Sequence, residues 1–187
     1  LVDATCPLVH EIHREVKKLS KEGRQIFVIG DHGHDEVIAI ADQVSDSIVL
    51  ENLSEAKALK KFKKAGVVSQ STQTIENVQE IINILMEKVF DLHFVNTICY
   101  PTKRNQEQIK ELAKESDIMI IIGSFTSANS KRLTSLSKTL NKNTYQVTVS
   151  KDIDSKWFKN CKIVGISAGA STPDYLIEEV KDRIMSF

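Results

Sequence analysis

The chain has 187 residues, 41% hydrophobic and 27% charged, a balance ordinary for a water-soluble globular protein. That length suits one large domain or two small ones. Its 25 basic and 25 acidic residues cancel, which argues against a nucleic-acid binder that works by phosphate neutralisation. No apolar run approaches a membrane span and no signal-peptide pattern opens the sequence. Three cysteines are too few, and odd in number, for a secreted disulfide framework, so a reducing cytoplasm is the expected setting.

From Pro7 to about Ser20, Leu8, Ile12, Val16 and Leu19 recur at helical spacing, and Pro7 suits a first helical turn. Ile26-Phe27-Val28-Ile29, ending at Gly30, reads as a strand buried on both faces. A polar turn over residues 31–36 leads to a short helix from Glu36 to Ala41, then a strand at Ile48-Val49-Leu50. Ser54 is the expected cap of a helix carrying Ala58, Leu59 and Phe62. Gly66-Val67-Val68 is a third strand, followed by a helix from about Thr74, and Leu92-His93-Phe94-Val95 leads to Cys99.

The second half repeats the scheme. The spacing predicts a helix over residues 102–114, a strand at 118–122 and a helix carrying Leu133, Leu136 and Leu140. A strand at 145–149, a short helix from Asp152 to Lys159, a strand at 163–166 and a final helix after Pro173 complete it. Cys6 and Cys99, Leu19 and Leu112, and Gly30 and Gly123 are each 93 residues apart. One offset for three landmarks indicates an internal duplication. Alternating strands and helices imply α/β architecture: two pseudo-repeated three-layer domains with small parallel sheets, spanning 1–97 and 98–187. The chain begins on Leu1 rather than Met, and Leu1-Val2 looks like the tail of a strand, so an excised piece lacking an N-terminal part is expected.

Ligands of open parallel sheets collect at the carboxyl ends of the strands. The residues with chemistry to offer lie at such ends: Cys6, His34, Glu36, Ser71, Thr72, Cys99, Thr102, Ser127, Asn129 and Ser171. The duplicated position favours a function for Cys6 and Cys99, and a thiol near a helix N-terminus suits metal binding. Cys161 has no counterpart in the repeat and reads as structural. Gly33-His34-Asp35-Glu36 fits equally a site or a turn whose carboxylate favours a helix dipole. His10, His13, His32 and His93 read as surface or packing residues. Ser127-Ala128-Asn129 and Ala168-Gly169-Ala170-Ser171 fit helix caps, and equally a phosphate seated on backbone N–H groups. Zinc wants four ligands, whereas Cys6, Cys99 and His34 supply at most three.

Taken in order, Asp3-Ala4-Thr5-Cys6-Pro7-Leu8-Val9, Gly33-His34-Asp35-Glu36-Val37, Gln70-Ser71-Thr72, Thr97-Ile98-Cys99-Tyr100, Ser127-Ala128-Asn129-Ser130-Lys131-Arg132-Leu133 and Ala168-Gly169-Ala170-Ser171 resemble the 4-hydroxy-3-methylbut-2-enyl diphosphate reductase family. The resemblance covers essentially the whole chain. It implies a trefoil of three pseudo-threefold-related α/β lobes around a [4Fe-4S] cluster held by one cysteine per lobe, with this chain as the second and third lobes. It implies cluster ligation by Cys6 and Cys99 and a third cysteine from the first lobe. It further implies proton donation by Glu36 and diphosphate binding by His34, Ser127, Asn129 and Ser171. Ser71 and Thr102 fall near the substrate hydroxyl, and Ala128 falls where a serine is usual among the substrate-binding residues. Asp35 replaces a usual proline, Pro101 a small residue and Ser71 a threonine. The implied reaction is reductive dehydroxylation of an allylic diphosphate in isoprenoid biosynthesis, with a ferredoxin or flavodoxin as electron donor and no nucleic-acid or membrane partner. The lone piece is expected to be inactive. The rival readings are a non-catalytic α/β module that binds a phosphorylated small molecule and, more weakly, a zinc hydrolase using Cys6, Cys99 and His34.

Overall fold

The computed structural model describes residue 3 and residues 5–187; the strand tail expected at Leu1-Val2 lies outside the described residues. The chain divides into two compact units, Leu1–Cys99 and Tyr100–Phe187. The first contains α1 (Pro7–Lys21), β1 (Gln25–Ile29), α2 (Asp35–Ala41), β2 (Ser47–Leu50), α3 (Leu53–Ala58), β3 (Phe62–Ser69), α4 (Ile75–Lys88) and β4 (Val89–Phe94). Its four strands are all parallel, in the order β2-β1-β3-β4. The second contains α5 (Tyr100–Glu115), β5 (Ile118–Ile122), α6 (Ala128–Leu140), β6 (Thr144–Val147), β7 (Val164–Ala168) and α7 (Asp174–Met185). Its strands are parallel too, in the order β6-β5-β7. The architecture is therefore α/β with small parallel sheets, as the alternation predicts.

Period-two alternation splits each central strand between two cores. In β1, Ile26 and Val28 pack with Ile12, Val16 and Leu19 of α1 and with Val37 and Ile40 of α2. Phe27 and Ile29 face the other way, onto Ala56 of α3 and Val78, Ile81 and Leu85 of α4. In β5, Met119 and Ile121 meet Ile109 and Ala113 of α5 and Leu133 of α6, while Ile120 and Ile122 meet Val180 of α7. The 93-residue offset thus preserves which face each strand residue serves. Complete burial of both faces explains the unbroken apolar runs.

The same offset relates one close approach. A Cβ on Gly30 would lie 2.5 Å from Cγ2 of Val37, and a Cβ on Gly123 would collide with Ser130, the residue equivalent to Val37. Each glycine ends its strand where the next helix presses onto the backbone.

Local caps moved several boundaries. Asn52, not Ser54, starts α3: its Oδ1 accepts from the N–H groups of Ser54 (3.0 Å) and Glu55 (3.2 Å). The helix ends at Ala58, so Phe62 belongs to β3 and packs edge-on against Phe27, centroids 5.2 Å apart. The helix expected at 152–159 is two 3-10 turns, Ser150–Asp152 and Ser155–Phe158. There Asp152 takes the N–H groups of Thr148 (2.7 Å) and Val149 (3.1 Å), which also ends β6 at Val147. Asp117 takes those of Lys162 (2.8 Å) and Ile163 (3.0 Å), so β7 begins at Val164. Among the described residues no helix is long and apolar enough to cross a membrane.

Replacing Gly30 with Ala is expected to destabilise the chain by about 1–3 kcal/mol through overpacking. Adding Val37→Ala should recover part of that loss in urea melts, because it removes the clashing methyl groups.

Candidate active site at the strand ends

In the first unit the loops after β1, β3 and β4 are tied together by side chains. Glu36 lies in the first turn of α2, half-buried. Its Oε1 accepts from the Ser71 N–H at 2.6 Å and its Oε2 accepts from the Ser71 hydroxyl at 3.0 Å. Both carboxylate oxygens therefore rest on one residue from the loop after β3. Ser71 is 9% exposed, and its carbonyl accepts the Cys99 N–H at 2.9 Å. Hydrogen bonds to an ionised acceptor are shorter and stronger than neutral ones, which suits the 2.6 Å contact.

His34 caps α2, its Nδ1 accepting from the Glu36 N–H at 3.2 Å. That bond requires an unprotonated Nδ1, so a neutral ring carries its proton on Nε2. Thr97 fastens the segment before Cys99: its hydroxyl donates to the Ser69 carbonyl (2.6 Å) and accepts from the Ser69 N–H (2.7 Å). Gln70, fully buried, accepts from the Asp31 N–H at 3.1 Å and donates to Thr72 Oγ1 at 3.2 Å.

Cys6 is exposed and stands immediately before α1; Cys99 is half-buried and stands immediately before α5. Neither is in a disulfide, and a cysteine at a helix start is a donor type that suits iron–sulfur ligation. Cys161 differs. It packs with the core around Trp157 and Phe158, its thiol donates to the Ile163 carbonyl at 3.5 Å, and burial, helped by the charge of Asp117, pushes its pKa up. That is a structural thiol.

The zinc set fares poorly. Among the described residues, the one group of three or more His, Cys, Asp or Glu side chains whose ligand atoms lie within 4.8 Å of one another is His32, Glu51 and Glu55. Cys6, Cys99 and His34 are not gathered in that way. The His32 group is a loop clasp whose bonds explain it: His32 Nε2 lies 3.0 Å from Glu55 Oε2, which also accepts the Glu51 N–H at 2.9 Å.

In the second unit Ser127 caps α6, its hydroxyl accepting from the Ser130 N–H at 3.3 Å. Ala128 follows, half-buried, and then Asn129, only 8% exposed. Neither Oδ1 nor Nδ2 of Asn129 has a hydrogen-bond partner. A buried amide with no partner among the described residues costs about 1–3 kcal/mol, which a bound water or a ligand would offset. Gly123 and Gly169 flank the same helix start, and a Cβ on either would meet the Ser130 hydroxyl. Thr172 fixes the loop after β7 by donating to the Ile122 carbonyl at 3.1 Å, leaving Ser171 exposed at the turn. Thr102 is buried in the first turn of α5.

His13, which reads as a surface or packing residue in the sequence, is half-buried. Its Nε2 is buried and has no partner among the described residues. Burial lowers its pKa, the charges of His10 and Lys17 add to this, and Glu36 opposes them. Its position between the buried Ile12 and Val16 of α1 offers no signal of nearness to Glu36.

Two α/β units, each built on a small parallel sheet with polar loops and helix starts at its strand ends, define an α/β protein of the class that binds ligands at strand ends. Residues 1–185 match the family described as LytB protein, and the chain belongs to that family. It is 41% identical, over 98% of its length, to 4-hydroxy-3-methylbut-2-enyl diphosphate reductase of Aquifex aeolicus (strain VF5) and covers 65% of that protein. It is 40% identical, over its whole length, to the protein of the same name from Geobacter sulfurreducens, covering 67% of it. The chain thus spans about two thirds of the length of these relatives. A solved structure of (E)-4-hydroxy-3-methyl-but-2-enyl diphosphate reductase, described as the terminal enzyme of the non-mevalonate pathway, matches all of the chain at 40% identity with a TM-score of 0.64; the chain covers 68% of it. The Plasmodium falciparum reductase structure matches 97% of the chain at 28% identity with a TM-score of 0.91; the chain covers 58% of it.

Thr97→Val should lower stability by about 1–3 kcal/mol. It should also speed hydrogen exchange at the Cys99 amide, which Thr97 helps to place. Because His13 is held below its ordinary pKa, the unfolded chain takes up a proton near pH 6.5 while the folded chain resists. Stability is therefore expected to fall as pH drops below about 6.5, and His13→Gln should flatten that part of the profile in urea melts.

Proposed function

We propose that this chain forms the cluster- and substrate-binding part of a 4-hydroxy-3-methylbut-2-enyl diphosphate reductase. The observation that carries the reading is the continuous bonding of Glu36 to Ser71 and of Ser71 to Cys99, which joins an acid to a metal-binding thiol. Cys6 and Cys99 are two ligands of a [4Fe-4S] cluster. Its third cysteine comes from the length of the relatives that this chain does not span, in a three-lobed protein whose second and third lobes are residues 1–97 and 98–187. When bound, the cluster supplies electrons and a Lewis-acidic iron.

The reaction adds two electrons and two protons. The allylic C–O bond breaks, the oxygen leaves as water, and the second proton goes to carbon, giving isopentenyl or dimethylallyl diphosphate. Glu36 holds the proton used in this chemistry. Its Oε1 faces an obligate donor, the Ser71 N–H, so the proton sits on Oε2. The Ser71 hydroxyl at 3.0 Å then turns from donor to acceptor. Ser71 and Thr102 orient the substrate hydroxyl. His34 donates from Nε2 to the diphosphate, and Ser127, Asn129 and Ser171 bind its remaining oxygens, with Ala128 lining the same helix start. The orphaned Asn129 amide supports an oxygen-rich anion as its partner. Electrons come from a ferredoxin or flavodoxin, in the cytoplasm.

Reconstitution with iron and sulfide under argon tests the reading. Wild type should take up iron and acid-labile sulfide with thiolate-to-iron absorbance, and Cys6→Ser or Cys99→Ser should lose most of it. In the complete protein, Glu36→Gln should lower kcat about 10²–10⁴-fold with bound iron unchanged. Asn129→Ala should instead raise KM roughly 5- to 100-fold. Iron uptake indifferent to both cysteines would favour the non-catalytic phosphate-binding module.

A further inference from the structure

We propose that one face of α1 is the docking surface for an acidic one-electron carrier protein of the ferredoxin kind; this rests on the reductase reading. His10, Arg14, Lys17 and Lys21 recur at i, i+4, i+7 and i+11, so they form one narrow stripe along the helix. The opposite side carries the buried Ile12, Val16 and Leu19. Arg14, Lys17 and Lys21 are exposed and His10 is half-buried.

No acid lies within the stripe. Glu11 and Glu15 stand beside it, pairing with Arg14 at 3.5 Å and Lys18 at 3.6 Å through exposed contacts, and Asp3 lies 3.3 Å from His10. Such exposed pairs are weak and readily exchanged. Among the described residues no carboxylate pairs with Lys17 or Lys21. Two shallow hollows of about 420 and 480 Å³ lie along the helix; Arg14 and Lys17 line both, with Glu11 at the edge of one and Glu22 of the other. Since the chain carries no net charge, this row is a local concentration of positive field.

The helix starts directly after Cys6. At about 1.5 Å of rise per residue, Arg14 stands about 12 Å along the axis from that thiol. A carrier seated on the stripe therefore lies close to the cluster that Cys6 holds. Each turnover needs two electrons, so two reduced carriers are each oxidised by one electron in succession. Transient redox encounters bury little surface and depend on charge complementarity, which a row of cations supplies for an acidic partner.

The test compares Lys17→Glu/Lys21→Glu with Lys63→Glu/Lys64→Glu, a control at exposed residues of β3 with the same change of net charge. Oxidised plant-type [2Fe–2S] ferredoxin, titrated into the protein at low ionic strength, should bind wild type and the control alike. It should bind the α1 variant about tenfold more weakly, a difference that disappears in high salt. With the substitutions placed in the complete protein, turnover driven by reduced methyl viologen, too small to need a docking surface, should be equal for wild type and both variants. Equal ferredoxin binding by wild type and the α1 variant, or equal weakening in the control, overturns the proposal. Absence of methyl viologen turnover by the complete wild-type protein, with ferredoxin binding still sensitive to α1, tells against the reductase reading instead.

Discussion

Ser71 uses every polar atom it has. Its N–H and hydroxyl both go to Glu36, and its carbonyl takes the N–H of Cys99. Three loops that leave three different strands are thereby set relative to one another by a single small side chain and its peptide group. Any role of Glu36 as an acid depends on this, because a carboxylate on a seven-residue helix would otherwise be free to turn. Thr97 performs a related service one step earlier, so that the segment entering Cys99 is fixed before the thiol is reached.

The duplication supplies the frame for this arrangement. In both units the central strand is buried on two sides and stops at a glycine, and the following helix presses close at that point. The contact partner is Val37 in the first unit and Ser130 in the second. Replacing an aliphatic side chain by a hydroxyl at the same contact puts a polar atom beneath the helix start where Ser127 and Asn129 lie. The same backbone device thus serves an apolar junction in one unit and a polar one in the other.

Much of this is written locally and so is legible in the sequence. β5 is a run of apolar residues bounded by polar ones, and no other element fits Ile118-Met119-Ile120-Ile121-Ile122 in a chain of alternating helices. The strand ends follow, and with them the list of residues able to do chemistry. What stays hidden is pairing across distance. Ser71 and Glu36 are 35 residues apart, and Ser69 and Thr97 are 28 apart, with nothing in either stretch to announce a partner. The misplaced boundaries have mixed origins: Asn52 and Asp152 each capture two N–H groups within four residues of themselves, whereas Asp117 captures those of Lys162 and Ile163, some 45 residues on. His13 is hidden for the same reason, since its neighbour Glu36 belongs to another helix.

The two units differ in how complete they are by themselves. In the first, Glu36, Ser71 and Thr97 are bonded within the unit, and the buried atom with no partner among the described residues is His13 Nε2 on α1. In the second, the Asn129 amide has already left water and found nothing in exchange. Its desolvation has therefore been met during folding, before any ligand arrives. Any group that bonds to this amide would meet a donor and an acceptor already stripped of water, so the contact would carry no further desolvation cost on the protein side.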